Sequence, residues 1–325
     1  MAPLRSTIRI GLLGASRVAT YAMIDPARRH GGVQIVAVAA RDLPRARLFA
    51  HRHGIPEVAP SYTALIERPD IDLIYVGLPP SHHAHWTRRS LEAGKAVLCE
   101  KPLAINANEA ETVIHTADRV GLPLIEALHY RFHPTIAQAL DIVNGDLGPL
   151  LSMQAIVAGP GPADPQDIRW RADLGGGALM DLGCYAVHAL RTLAGGEPVI
   201  RSASQLMRGP VDLATTATMT FERCASARIH CSFEAASFTN SVHVVGERGT
   251  LEISGFLLPQ RGGAIRLTLD GRTVESTLPP ASTYDQQLAH VAQVLQGARR
   301  PLTGGTDAIA NARALDSIRV AAARR

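Results

Sequence analysis

Four residues carry the chemistry this sequence can do. Lys101 stands in Cys99-Glu100-Lys101-Pro102, where the apolar run Ala96-Val97-Leu98 ends and a capped helix is about to begin. A lysine fixed at the carboxyl end of a strand is a positioned cation, and in a doubly wound sheet that edge is where ligands bind. Further along, Asp181, Tyr185 and His188 follow the run Gly175-Gly176-Gly177 and fall at i, i+4 and i+7, which places all three on one helical face. A phenol is a poor base at neutral pH because its pKa is about 10. A lysine ammonium about 4 Å away, at an effective dielectric of about 20, offers roughly 4 kcal/mol toward phenolate, less what solvent and desolvation of the amine take back. Lysine and tyrosine together can therefore exchange a proton with an alcohol or a carbonyl. Each feature has a plainer reading alone: a solvated turn before Pro102, and an aspartate favoured by the helix dipole ahead of a half-buried Tyr and His.

Elements that would position these groups are legible on either side of them. Through residue 128, short β-branched runs alternate with helical patterns, which predicts βαβ units on a parallel sheet. Strands read at Ile8–Leu13, Gln34–Ala39, Leu73–Leu78, Ala96–Cys99 and Leu124–Ala127. Asp42 can cap a helix through His53 that Gly54 stops; Ser81 can start one that ends at Gly94; Asn106 and Glu109 have capping-box spacing for a helix closed by Gly121. After about residue 145 the pattern changes. One helical stretch, Ala178–Ala194, precedes strand-like runs at Thr215–Phe221, Ala227–Phe233, Val242–Val245, Thr250–Ile253 and Ile265–Leu269, with two final helices near Tyr284–Gln296 and Asp307–Ala323. The expected fold class is α/β: an N-terminal Rossmann domain (residues 1–128) with a doubly wound parallel sheet, then an α+β domain (residues 129–325) on a mostly antiparallel sheet. The last helix is a candidate to pack back on the first domain.

The first strand runs into Gly14-Ala15-Ser16-Arg17-Val18-Ala19, which has the position and most of the shape of a dinucleotide fingerprint. Such a turn needs glycine for tightness, close backbone approach to a pyrophosphate, and a helix whose amino end faces that phosphate. Gly14 and Ala19 fit the G-x-G-x-x-G/A pattern. Ser16 replaces its second glycine, so the approach is less close, or the hydroxyl itself donates to a phosphate. The second strand ends at Ala39-Ala40-Arg41-Asp42, where an acid would accept from a ribose 2′-OH and an arginine would neutralise a 2′-phosphate. Arg41 favours NADP(H) over NAD(H), and Asp42 reads as a helix N-cap. The histidines His82, His83 and His85 have no carboxylate or thiol companions, so no metal is expected.

Composition narrows the class further. At 325 residues and 46% hydrophobic, the chain can bury two sizeable cores. No apolar run approaches the roughly 18 residues of a membrane span, and Ile8 to Ala15 is too short and Gly-punctuated for a signal peptide, which points to the cytoplasm. The four cysteines lack C-x-x-C spacing and read as reduced thiols. A net charge of +4 is carried by dispersed arginines with few aromatics, which argues against nucleic acid and for a smaller phosphate.

Taken together, the Gly14–Ala19 turn, Glu100-Lys101-Pro102, and the glycine turn ending in Asp181-x-x-x-Tyr185-x-x-His188 resemble the Gfo/Idh/MocA oxidoreductase family over nearly the whole chain. The tyrosine form of the second motif, with Glu126-Ala127 and Arg131-Phe132-x-Pro134, is most similar to the NADP-dependent dihydrodiol/D-xylose dehydrogenase and glucose–fructose oxidoreductase branch; inositol-dehydrogenase-like members carry His where Tyr185 stands. The resemblance implies hydride transfer between nicotinamide and a C–OH/C=O carbon of a sugar, polyol or cyclic diol, and a homodimer or homotetramer formed through the C-terminal sheet. By position, Lys101 would bind and polarise the reacting oxygen and Tyr185 would be the acid/base. Asp181 and His188 would line the site, and Arg169 and Trp170 would contact substrate. Gly14, Ala15, Ser16, Arg17, Val18, Arg41, Leu78, Pro79, His83, Glu100 and Lys101 would hold the cofactor. Pro80 stands where many relatives have Asn and Leu78 where they have Thr, so the resemblance leaves a backbone rather than a side-chain contact to the nicotinamide ribose. Reduction of an imine or of a nucleotide-linked keto-sugar, and a non-catalytic NADP-binding regulator, are the alternative readings.

Overall fold

The computed structural model describes residues 7–324. Six strands form the first sheet: β1 (Ile8–Leu13), β2 (Val33–Ala39), β3 (Glu57–Val58), β4 (Leu73–Val76), β5 (Ala96–Cys99) and β6 (Leu124–Glu126). Their order is β3-β2-β1-β4-β5-β6, and every pairing is parallel. This is the doubly wound order, in which the direction of winding reverses between β1 and β4. The four residues of β4 and the four of β5 are all buried. A parallel strand covered on both faces has no polar side, so it appears in the sequence as an unbroken apolar run rather than an alternation.

The helices start and stop where their chemistry requires. Asp42 Oδ1 accepts from Arg45 N at 2.7 Å and Gly54, at φ 69°, closes Leu43–His53. Helix Pro80–Glu92 begins one residue before Ser81, because proline suits a first helical position whose N–H would have no partner. The stretch after β1 is less regular. Arg17–Ala19 is α-helical, Thr20–Ile24 is a π turn, and Asp25–Arg29 resumes the α form. Pro26 has no N–H to give the preceding turn, and the Asp25 N–H reaches back to Thr20 O.

The second sheet contains β7 (Leu150–Pro160), β8 (Val199–Arg208), β9 (Val211–Phe221), β10 (Cys224–Ser232), β11 (Glu234–Gly246), β12 (Gly249–Ser254), β13 (Ala264–Leu269) and β14 (Arg272–Thr277). The order is β14-β13-β12-β11-β7-β10-β9-β8, antiparallel throughout except where β7 and β10 run parallel. Helix Cys184–Ala194 packs on β7 and β10 and buries ten of its eleven residues, Thr192 being the exception.

The chain divides into two compact units that are discontinuous in sequence. One runs through Ala104 and adds Asn108–Phe132 and Tyr284–Ile309; the other takes Ile105–Ala107, His133–Thr283 and the residues from Ala310. Within the first unit, Leu288, Val291, Ala292, Val294 and Leu295 share a core with Ile10, Leu12 and Met23. Arg29 binds Asp285 through two hydrogen bonds of 2.9 and 2.6 Å. Among the described residues no helix is long and apolar enough to cross a membrane, and no group of three His, Cys, Asp or Glu could hold a metal ion. All four cysteines are buried, and among the described residues none is in a disulfide.

Candidate active site

In the first unit the candidate residues gather at the carboxyl ends of β1, β2, β4 and β5. Gly14 has φ 105° and donates its N–H to Ala39 O at 2.8 Å. A Cβ there would fall 2.6 Å from Gly77 O, so the turns after β1 and β4 approach each other too closely for any other residue. Ser16 Oγ accepts from Ala19 N at 3.3 Å, and the hydroxyl proton is not used by that bond. The second-glycine position therefore serves as an N-cap that can still donate. Ala15 is buried, Val18 half-buried and Arg17 exposed. A glycine-tight turn, an N-cap hydroxyl and a following helical stretch fit a dinucleotide pyrophosphate.

At the exit of β2, Arg41 is exposed and its N–H donates to Tyr62 Oη at 3.1 Å. Asp42 is the helix cap. Arg45 reaches back from the first helical turn and donates to Ala15 O at 3.0 Å. Both guanidiniums draw the Tyr62 phenol down, against the larger upward effect of burial. The sequence reading omitted Arg45. Its signal was a cation in a helix's first turn, where the macrodipole is unfavourable to positive charge.

The loops after β4 and β5 are joined by His83, which is 1% exposed. Its Nδ1 lies 2.7 Å from Pro102 O and its Nε2 2.7 Å from Leu78 O. Both nitrogens thus meet main-chain carbonyls, and the ring bridges the loops after β4 and β5. Burial, assisted by Lys101, lowers its pKa to about 4, so at neutral pH it donates to one carbonyl at a time. Glu100 is 7% exposed and Oε1 accepts from Tyr75 Oη at 2.7 Å. Burial and that carboxylate push the Tyr75 phenol well above its usual range. Lys101 follows, half-buried, and the Lys101–Pro102 peptide is cis. Leu103 N donates to Glu126 Oε1 at 2.9 Å. His129 stacks on Tyr284 with ring centres 4.2 Å apart, and burial, with Lys101 as the smaller cause, brings its pKa to about 3. Leu78 and Pro79 are half-buried.

In the second unit the glycine turn is dictated by what lies against it. A Cβ at Gly176 would sit 2.5 Å from Arg169 O, and one at Gly177 would overlap Asp212 Oδ1. Asp212 Oδ2 accepts from Leu179 N at 2.8 Å and from Thr215 Oγ1 at 2.7 Å, anchoring the helical segment that leads to Tyr185. Arg169 donates from Nε to Asp181 Oδ2 at 2.7 Å and from Nη1 to Asp167 Oδ1 at 3.2 Å, and the Asp181 charge raises its pKa further. The structure thus joins two residues that the sequence reading treated separately. Asp181 lies in a π turn, Leu179–Gly183, so it and Tyr185 are related by a widened turn rather than by the regular helical spacing expected. Tyr185 is 7% exposed, and His188, at 1%, has Nδ1 3.5 Å from Thr192 Oγ1. The Trp170 indole donates to Pro162 O at 3.0 Å, meets Phe233 edge-on, and carries the Arg208 guanidinium 3.9 Å above its ring.

A doubly wound sheet with a glycine turn at its switch point, and a second unit on a mostly antiparallel sheet, define a two-part oxidoreductase that uses a nicotinamide dinucleotide. Residues 8–127 match an oxidoreductase family with an NAD-binding Rossmann fold, and residues 136–252 match the GFO/IDH/MocA C-terminal domain. The chain belongs to the Gfo/Idh/MocA oxidoreductase family. It is 32% identical over 311 residues to D-xylose 1-dehydrogenase (NADP(+)) 2 of Haloferax volcanii, covering 95% of each chain. It is 33% identical over 278 residues to trans-1,2-dihydrobenzene-1,2-diol dehydrogenase of Macaca fascicularis, covering 84% of this chain and 79% of that one. Among solved structures it is similar to a 3-ketoreductase from Actinomadura kijaniata in complex with NADP and TDP-benzene, at a TM-score of 0.90 and 28% identity, covering 97% of this chain and 98% of that one.

Two histidines buried in neutral form set a pH dependence. The unfolded chain binds their protons at about pH 6.5, whereas folded His83 does so only near pH 4 and His129 near pH 3. Their contribution to stability is therefore complete above about pH 6.5 and is lost as pH falls toward those values, roughly 3 kcal/mol for His83 alone. Urea unfolding at pH 7 and pH 4 will show the drop, and His83→Asn will show a smaller one; an equal drop in the variant would contradict the burial argument.

Proposed function

We propose that this protein transfers a hydride between NADP(H) and a C–OH/C=O carbon of a sugar, keto-sugar or cyclic diol. The observation that carries the reading is Lys101, a cation fixed at the carboxyl end of β5 in a sheet whose β1 turn fits a dinucleotide. Relatives named as a D-xylose dehydrogenase, a dihydrodiol dehydrogenase and a 3-ketoreductase supply the substrate class. The Actinomadura reductase has also been solved with a tyrosine changed to phenylalanine and with a lysine changed to alanine, the two residue types on which the present reading rests.

Gly14, Ala15, Ser16, Arg17 and Val18 would hold the pyrophosphate, with Arg41 and Arg45 at the 2′-phosphate. Leu78, Pro79 and Glu100 would border the nicotinamide end. When bound, the cofactor supplies or accepts the hydride. Lys101 binds the substrate oxygen and stabilises negative charge as it develops there. Tyr185 gives that oxygen its proton in reduction and removes it in oxidation. Asp181, paired with Arg169, and His188 line the substrate, and Trp170 offers an aromatic edge. A nucleotide-linked keto-sugar is the more specific substrate reading, favoured by the structural likeness to the 3-ketoreductase.

Turnover will be measured with aldoses, keto-sugars, cyclic diols and imines, each with both dinucleotides. With the substrate so found, Lys101→Ala and Tyr185→Phe are each expected to lower kcat/KM by about 10²- to 10⁴-fold, and wild-type turnover in both would rule out the mechanism. Arg41→Ala and Arg45→Ala are expected to raise KM for NADP by roughly tenfold or more while leaving KM for NAD little changed, since each removes a charge-assisted bond to phosphate. A preference for NAD that survives Arg41→Ala would rule out the cofactor assignment. Leu151, Val199, Leu206, Met207, Phe238 and Val274 expose apolar surface along the second sheet, which supports a homodimer or homotetramer through that sheet; sedimentation equilibrium should give a multiple of the monomer mass, and a monomer would refute it.

A further inference from the structure

We propose that Glu126 and His83 are positioning residues for Lys101, acting on the two backbone groups that follow it. The inference rests on the reading of Lys101 as the group that polarises the substrate oxygen. The lysine side chain is a flexible four-carbon stem, so the position of its Cα sets the reach of its ammonium. That Cα lies beyond the end of β5, after the bonds from Glu100 N to Val76 O at 3.0 Å and from Ala127 N to Cys99 O at 2.7 Å. Past this point side chains take over. His83 Nδ1 meets Pro102 O at 2.7 Å, and Glu126 Oε1 receives Leu103 N–H at 2.9 Å.

Neither holding group is a surface accident. Glu126 is 2% exposed and His83 1%, and burying a carboxylate is costly unless its bonds are needed. Glu126 is itself held in place, since its main-chain carbonyl accepts from Thr303 Oγ1 at 2.6 Å and a Cβ at the neighbouring Gly304 would stand 2.7 Å from Leu124 O. The other ring nitrogen of His83 lies 2.7 Å from Leu78 O. The two bonds on the residues after Lys101 thus originate on different elements, β6 and helix Pro80–Glu92. Losing either lets the lysine backbone shift, and a displacement of about 1 Å at a reacting group costs on the order of 10²-fold in rate.

The test is a double-mutant cycle in the full-length protein with its cofactor and the substrate identified by the panel. Glu126→Ala is expected to lower kcat by about 10- to 100-fold with the NADPH dissociation constant, read by nucleotide fluorescence, within about threefold of wild type. Glu126→Gln keeps an oxygen for Leu103 N–H and is expected to restore kcat to within about fivefold. In a Lys101→Ala background, Glu126→Ala should cost nothing further. If the two losses multiply, or if Gln does not rescue a variant with a wild-type urea midpoint, the positioning role is wrong. Should Glu126→Ala not fold, His83→Ala is measured against Lys101→Ala and judged by the same criterion. If Lys101→Ala alone turns over at the wild-type rate, the role of the lysine fails instead, and the two failures are told apart by that single variant.

Discussion

Where a parallel strand ends, the ladder that satisfied its backbone ends with it, and each buried amide or carbonyl beyond needs another partner. The first unit depends on how this requirement is met at the carboxyl edge of its sheet. Gly14 N–H finds Ala39 O, Pro102 O and Leu78 O share one imidazole, and Leu103 N–H finds a carboxylate. The Glu100 carboxylate is engaged by Tyr75 Oη from the neighbouring strand. These bonds tie the ends of β1, β2, β4, β5 and β6 to one another. Buried polar groups joined in this way resist displacement, because releasing one leaves another unsatisfied in a low-dielectric setting.

Much of this unit was legible because local chemistry and tertiary fold agree there. The helix from Leu43 to His53 has its cap aspartate, its apolar spacing and its closing glycine where the structure uses them, and the apolar runs of β1, β4 and β5 mark strands covered on both sides. The two-residue strand β3 was not legible, since Glu57–Val58 is too short to carry a period. The second sheet was read less completely. β14 is exposed along its whole length, so Arg272–Thr277 has no buried face to impose alternation. β8 is largely exposed for the same reason. β7 was missed despite lying between β11 and β10, and its parallel pairing with β10 joins segments far apart in sequence. Such a register is set by long-range packing and has no local signature.

The candidate residues divide in the same way. Lys101 and Ser16 were visible from their position at strand ends, and the capping role of Ser16 follows from the ordinary preference of a serine before a helical turn. The pairing of Arg169 with Asp181 was not visible. It arises because the glycine turn allows residues 168–170 to lie against it, which brings a side chain back across twelve positions. The brace made by His83 was hidden for a related reason: one carbonyl it meets is five residues away and the other nineteen. A sequence pattern shows that a histidine follows a strand; it does not show which loop closes over the ring.

In the second unit the same economy appears with opposite charge. Arg169 lies between two carboxylates, Asp167 and Asp181, so Asp181 has a fixed cation as neighbour. Asp212 shows the contrast. Its carboxylate is buried, its pKa is raised by that burial, and its hydrogen bonds from Leu179 N and Thr215 Oγ1 oppose the shift. Two aspartates near the start of one helical segment therefore differ in what sustains them, one by a charge and one by neutral donors. The first can present a stable negative field to whatever lies beside Tyr185, while the second holds the backbone on which Tyr185 is carried. Substituting Gly176 would crowd the Arg169 backbone and substituting Gly177 would crowd the Asp212 carboxylate, because the absent side chains are what allow each to approach the turn.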